Sequence, residues 1–99
     1  YLIPDTKYKA DGFNRRFNIV FEFYGDYWHG NPKIRDATSP ANYYGTKTAK
    51  EAYVETLRRE KQLRSLGYHV VGIWESDWKQ SPGKVIQKVK QLVDQLKRV

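Results

Sequence analysis

The stretch Phe17-Asn18-Ile19-Val20-Phe21-Glu22-Phe23-Tyr24 reads as a β-strand. Phe17, Ile19, Phe21 and Phe23 alternate with Asn18, Val20, Glu22 and Tyr24, the period-two pattern of a strand with one buried face. That alternation predicts an apolar face of aromatic residues and sets Glu22 and Tyr24 on the other side. Upstream, Lys7 to Phe13 reads as an antiparallel hairpin partner, with Asn14-Arg15-Arg16 as the turn region. A hairpin register that joins positions 11 and 22 sets two carboxylates, Asp11 and Glu22, at one place.

Downstream, Asp26 to Lys47 is rich in Gly, Pro, Asn, Ser and Thr and reads as a long loop. Loops of that length in small domains are functional or mobile. Thr48 to Leu66 then reads as a helix that ends at Gly67, a residue suited to the turn after a helix. Its apolar stripe is Ala49, Ala52, Tyr53, Thr56, Leu57 and Leu63, with Glu60 inside it. An inward carboxylate requires a partner, and His29 and Arg64 are the two choices.

Tyr68 to Trp74 is a short apolar run, predicted as a central strand covered on both faces. Trp74 and Trp78 read as packing residues, and His69 as a structural or rim residue. Ser81-Pro82 supplies an N-cap and a first-turn proline. The last helix follows, with Val85, Ile86, Val89, Leu92, Val93 and Leu96 on one face. The order β-β-α-β-α, with the first helix as a crossover, predicts an α/β fold: a small mixed β-sheet flanked by helices.

Ninety-nine residues make one small domain, 1–99. The chain opens in Tyr1-Leu2-Ile3-Pro4 and contains no Met, as expected of a domain excised from a longer protein. It has no Cys, which excludes disulfides and cysteine-ligated zinc. No apolar run approaches the roughly 20 residues of a membrane helix, and no signal peptide is visible, so an intracellular home is expected. Lys and Arg number 18 against 11 Asp and Glu, a formal charge of +7. Such an excess favours a polyanionic partner, nucleic acid or an anionic membrane surface.

Phosphodiester hydrolysis needs an attacking water, charge neutralisation on phosphorus and a proton carrier. A divalent metal supplies the first two, and Mg²⁺ is held by one or two carboxylates with waters and phosphates. Asp11 and Glu22 suit that, with a backbone carbonyl near Phe23 as a third oxygen. His29 suits general acid or base work near neutral pH. The alternatives are an Asp-Gly turn for Asp11, a solvated strand position for Glu22 and a structural role for His29. Tyr27 and Trp28, between Gly25 and Gly30, are candidates to stack on bases or to cap the core. Lys33, Arg35, Lys47, Arg58 and Arg59 are candidate phosphate contacts, with Arg15, Arg16, Lys50 and Lys61 beside them; Tyr43 and Tyr44 lie in the same loop.

Several of these residues form a pattern. Lys9-Ala-Asp11-Gly, Phe21-Glu22-Phe-Tyr-Gly-Asp-Tyr-Trp-His29-Gly, Thr56-Leu-Arg-Arg-Glu60 and Leu66-Gly-Tyr-His-Val-Val-Gly-Ile-Trp-Glu75 resemble a very-short-patch-repair type endonuclease domain. The likeness is greatest to the phage homing endonucleases of the EDxHD group, within the PD-(D/E)XK superfamily, and covers about Lys9 to Trp78. The resemblance implies a restriction-endonuclease-like fold and cleavage of double-stranded DNA with Mg²⁺, for which Mn²⁺ is a possible substitute. It implies Asp11 as central metal ligand beside the Phe23 carbonyl, Glu22 as second acid, His29 as proton carrier and Tyr27-Trp28 as an aromatic wedge. It also implies a DNA-binding region N-terminal to this domain and, for a phage-encoded protein, a bacterial cytoplasm. A mismatch-specific repair nickase and a non-catalytic DNA-binding module of the same fold are the alternatives.

The chain departs from that pattern at several places. Tyr24 stands where the superfamily has lysine and the repair enzymes histidine. The repair enzymes' structural zinc ligands align with Asp26, Asn31, Lys33 and Ser76, so no structural zinc is expected. The acid that supports the histidine aligns with Thr56, and Glu60, one turn later, is the expected replacement. The family's first glutamate lies upstream of this chain.

Overall fold

The chain is described by a computed structural model for residues 1–4, 6–42 and 45–98. Tyr43 and Tyr44 lie outside the described residues. Strand β1 (Gly12–Asn14) pairs antiparallel with β2 (Ile19–Tyr24), which pairs parallel with β3 (His69–Trp74). Helix α1 (Ala49–Ser65) makes the crossover between the parallel strands, and α2 (Glu75–Gln80) and α3 (Pro82–Lys97) follow β3. The result is a small α/β domain on a mixed sheet of order β1-β2-β3. No described helix is long and apolar enough to cross a membrane.

Local chemistry sets most element ends. Thr48 caps α1 in a capping box: its hydroxyl accepts the Glu51 amide at 3.2 Å, and the Glu51 carboxylate accepts the Thr48 amide at 3.1 Å. Gly67, at φ +97°, follows the C-cap Leu66 in the left-handed conformation that the sequence predicts there. The β1–β2 turn runs on to Asn18, at φ 53°. Asparagine tolerates that region, so β2 starts at Ile19 and not at Phe17. The hairpin partner is likewise shorter than expected: only Gly12–Asn14 is strand, and Lys9 makes one isolated bridge to Leu2.

The buried face of β2 is the reverse of the one expected. Val20, Glu22 and Tyr24 are buried, whereas Phe23 is 46% exposed and Phe21 only half-buried. Helix α1 decides this by returning over the even-numbered side, where Leu63 joins Val20, Ile3 and Ala10 in the core. Leu63, Val20 and Ile3 each contribute about 1.5–3 kcal/mol by leaving water. Ile19 is the one residue of the expected aromatic face that is fully buried.

Three further expectations fail for related reasons. β3 is an edge strand with half-exposed residues, because β2 occupies the centre of the sheet. Leu57 is 45% exposed, since the buried stripe of α1 runs Ala49, Ala52, Thr56, Leu63. Trp78 sits on α2, a six-residue helix not expected from the sequence and without buried residues, and is itself exposed. Trp74 does pack, against Tyr24 with ring centroids 5.1 Å apart. α3 begins at Pro82 as expected, but Ser81 makes no side-chain cap bond and no α3 residue is fully buried.

Candidate active site

The β1–β2 register pairs Gly12 with Phe21, so Asp11 falls opposite Glu22 at the end of the ladder. Asp11 is exposed, and its Oδ2 accepts the Phe23 amide at 2.7 Å. That bond holds the carboxylate near the C-terminal end of β2 and brings Asp11, Glu22 and the Phe23 backbone together. Among the described residues, Oδ1 of Asp11 accepts no hydrogen bond and is open to a cation.

Glu22 is only 7% exposed. Its Oε1 accepts from the Arg59 guanidinium at 2.6 Å, and Arg59 also donates to the Lys9 carbonyl. Burial raises the Glu22 pKa; the Arg59 charge pulls it down and the Asp11 charge pushes it up. Burial prevails, so this carboxyl holds its proton more readily than an exposed glutamate. Arg59 is therefore an ion-pair partner of the second acid, a role its place in a basic helix did not reveal.

That pair makes a signed prediction. Arg59→Met leaves a buried carboxyl with one hydrogen-bond donor fewer, at a cost of about 1–3 kcal/mol. Glu22 already has a folded-state pKa above its ordinary 4.5. Its contribution to stability is thus full in acid and is lost as pH rises through the raised pKa. Removing Arg59 raises that pKa further. The penalty in metal-free buffer is expected to be larger at about pH 7 than at about pH 4, measured by urea unfolding. Equal penalties at both values would refute the pairing.

His29 lies in the loop that follows β2. Its Nδ1 is 3.0 Å from Oγ1 of the buried Thr56, and its ring packs on Tyr24 with centroids 4.9 Å apart. Burial lowers its pKa, and the Arg59 charge lowers it further. The imidazole is accordingly neutral at neutral pH, the state of a base. The expected partner, Glu60, is elsewhere. It accepts the Tyr24 hydroxyl at 2.6 Å and pairs with Arg64 at 3.4 Å. Gly72 makes room for this, since a Cβ there would lie 2.5 Å from the Tyr24 ring and 2.7 Å from Glu60. Burial and the Glu60 bond push the Tyr24 phenol far above its ordinary pKa, so Tyr24 stays a proton donor to Glu60. Helical geometry gives the reason: Thr56 and Glu60 are one turn apart, and only Thr56 sits at the level of the loop.

No family model, curated protein or solved structure matches the chain.

The loop itself is tied down by polar contacts. Asn31, buried, donates to Asp26 Oδ1 at 2.8 Å and approaches Ser76 Oγ at 3.4 Å; Ser76 donates to Asp26 Oδ1 at 3.1 Å. The Lys33 amide donates to Asn31 Oδ1 at 3.1 Å. These are the four positions expected to align with zinc ligands, and here they form a hydrogen-bonded knot between the loop and α2.

The candidate DNA contacts divide. Trp28 is 59% exposed and stacks edge-on against Tyr27, with centroids 4.8 Å apart. Arg35 lies 4.2 Å over the Tyr27 ring and donates to the Pro40 carbonyl. It braces the aromatic pair, and a guanidinium so engaged is not a free phosphate contact. Lys47 is paired with Glu55 at 2.8 Å. Lys33 and Arg58 are exposed and, among the described residues, make no ion pair. Lys33 borders a cleft of about 320 Å³ along the outer side of β3, with Lys84 and Lys88 of α3.

No described group of three or more His, Asp or Glu side chains converges as a ready metal cage. Asp11 suits Mg²⁺, which takes one or two carboxylates and fills its shell with waters and phosphate oxygens. Glu22 suits it less well while Arg59 holds one of its oxygens.

Proposed function

We propose that this chain is the catalytic domain of a divalent-metal-dependent endonuclease that hydrolyses phosphodiester bonds in double-stranded DNA, of the homing type. One observation carries the reading: the hairpin register brings Asp11 beside Glu22, and the next loop carries a half-buried, neutral His29 held by α1. The restriction-endonuclease-like reading of the α/β fold belongs to the same proposal.

Asp11, with Glu22, would hold Mg²⁺ or Mn²⁺. The ion supplies charge neutralisation on the phosphate and a lowered pKa for bound water. The chain's own groups do the rest. His29 moves the proton. Arg59 sets the charge state of Glu22. Trp28 and Tyr27, exposed and braced by Arg35, offer a surface on which bases stack. Lys33 and Arg58 attract the phosphate backbone, as the charge of +7 does at longer range.

The test is cleavage of supercoiled plasmid by the full-length protein with Mg²⁺ against EDTA. Nicked or linear product with Mg²⁺ alone supports the proposal, and duplex bound without scission in either buffer overturns it. That second outcome has its own support in the Glu22–Arg59 ion pair. In a non-catalytic DNA-binding module, such a pair lets arginine occupy the place of the metal. A mismatched duplex against a paired one separates a mismatch nickase from a homing-type enzyme.

A further inference from the structure

The Thr56 hydroxyl has two neighbours and one hydrogen. Its Oγ1 is 3.0 Å from the Ala52 carbonyl and 3.0 Å from His29 Nδ1. The carbonyl has no hydrogen to give, so that contact is a bond only if the hydroxyl donates to it. With its hydrogen committed, Oγ1 can only accept from His29. A contact at 3.0 Å between Oγ1 and an unprotonated Nδ1 would then be two lone pairs facing each other in a buried place. The one arrangement that satisfies both contacts puts the imidazole proton on Nδ1.

From this geometry we propose that Thr56 is a positioning residue that fixes His29 as the Nδ1–H tautomer and so presents the bare Nε2 as a base. A carboxylate in the place of Thr56 would also orient the ring, but its charge would favour the imidazolium. The hydroxyl orients the ring and adds no charge. The role as base rests on the nuclease reading above; the tautomer does not.

In the step this serves, Nε2 takes a proton from water. The resulting hydroxide oxygen forms a bond to phosphorus, and the phosphorus–oxygen bond to the leaving sugar breaks. The bonding pair stays on the leaving oxygen, which gains a proton from solvent. His29 becomes an imidazolium with Nδ1–H still on Thr56, and later returns the added proton to solvent.

The decisive measurement is long-range ¹H–¹⁵N NMR of the histidine rings in the labelled protein above the His29 titration. The chain has two histidines, and His69→Gln removes the other signal. In water the free side chain prefers the Nε2–H form, so solvent alone predicts the opposite result. We expect protonated Nδ1 and bare Nε2. Protonation on Nε2 overturns the proposal whatever the cleavage assay shows.

Thr56→Val keeps the shape and removes the acceptor. It is expected to return His29 to the Nε2–H form and to lower kcat about 10- to 100-fold with little change in KM, whereas Thr56→Ser keeps both tautomer and rate. Wild-type rate in Thr56→Val overturns the positioning role. Should the valine variant fail to fold, the wild-type spectrum alone still decides. The expected tautomer in a protein that never cuts DNA overturns the nuclease reading, and with it the base role.

Discussion

Asp11→Asn is expected to lower Mg²⁺-dependent cleavage about 10²- to 10³-fold, the usual effect of removing one preorganised charge from a reacting centre. Asparagine is chosen because its side-chain oxygen still accepts the Phe23 amide, the bond at 2.7 Å that fixes this side chain. The carboxylate is exposed, so its loss leaves no cavity and no buried orphan. Thermal unfolding should shift little. A small gain is expected instead, since the Asp11 charge is one of the influences that push the Glu22 pKa up. Kinetics at several Mg²⁺ concentrations, run beside thermal melts, separate the two effects. Undiminished cleavage in a folded variant would remove Asp11 from the site and the metal assignment with it.

The second large effect concerns the backbone that carries His29. Gly30 has φ +63°, and a Cβ there would sit 1.9 Å from the Ala49 carbonyl oxygen and 2.7 Å from its carbon. Those atoms belong to the first residue of α1 and cannot rotate away. Gly30→Ala therefore combines the left-handed penalty of about 1–2 kcal/mol with an overpacking cost of about 1–3 kcal/mol. Gly45 is the control. It has φ +68° with, among the described residues, nothing within 4 Å of a Cβ, so alanine there should cost only the first part. Urea unfolding of both variants checks the difference; equal losses would show that Gly30 does not abut α1. Because Gly30 follows His29 directly, the shift that relieves the clash should also part His29 from Thr56, and cleavage should fall even where the variant is folded.

The parts of the fold that were legible in the sequence depend on neighbours in the chain. The stop at Gly67, the proline start of α3 and the strand character of Ile19–Tyr24 all follow from backbone preferences within a few residues. So does the long loop after Tyr24. The buried face of β2 was not legible. Periodicity shows that a strand has two faces, but α1 chose the even one, and the aromatic residues that marked the other were left half outside. Glu22, which the pattern set on the face opposite the apolar one, is buried with an arginine.

The site divides in the same way. The proximity of Asp11 and Glu22 needed only a hairpin register. The partner of His29 needed the level at which α1 meets the loop. Glu60 had the chemistry of a partner, and Thr56 had the position, the one that the resemblance aligns with the supporting acid. The Asp26–Asn31–Ser76 knot is a further case. Its members are ordinary polar residues up to 50 positions apart, and no local pattern joins Ser76 to Asp26.

By itself the sequence determined an α/β domain with a hairpin, a crossover helix and a basic surface, and it named the groups with the chemistry to hold a metal and move a proton. Tertiary structure alone decided which of them are paired. It gave Arg59 to Glu22, Arg35 to Tyr27, Tyr24 to Glu60 and Thr56 to His29. The physical reason is range. Turn and cap preferences act over a few bonds of the chain. Hydrogen bonds and ion pairs require contact at about 3 Å, and only the packing of α1 and the loop on the sheet brings those groups that close.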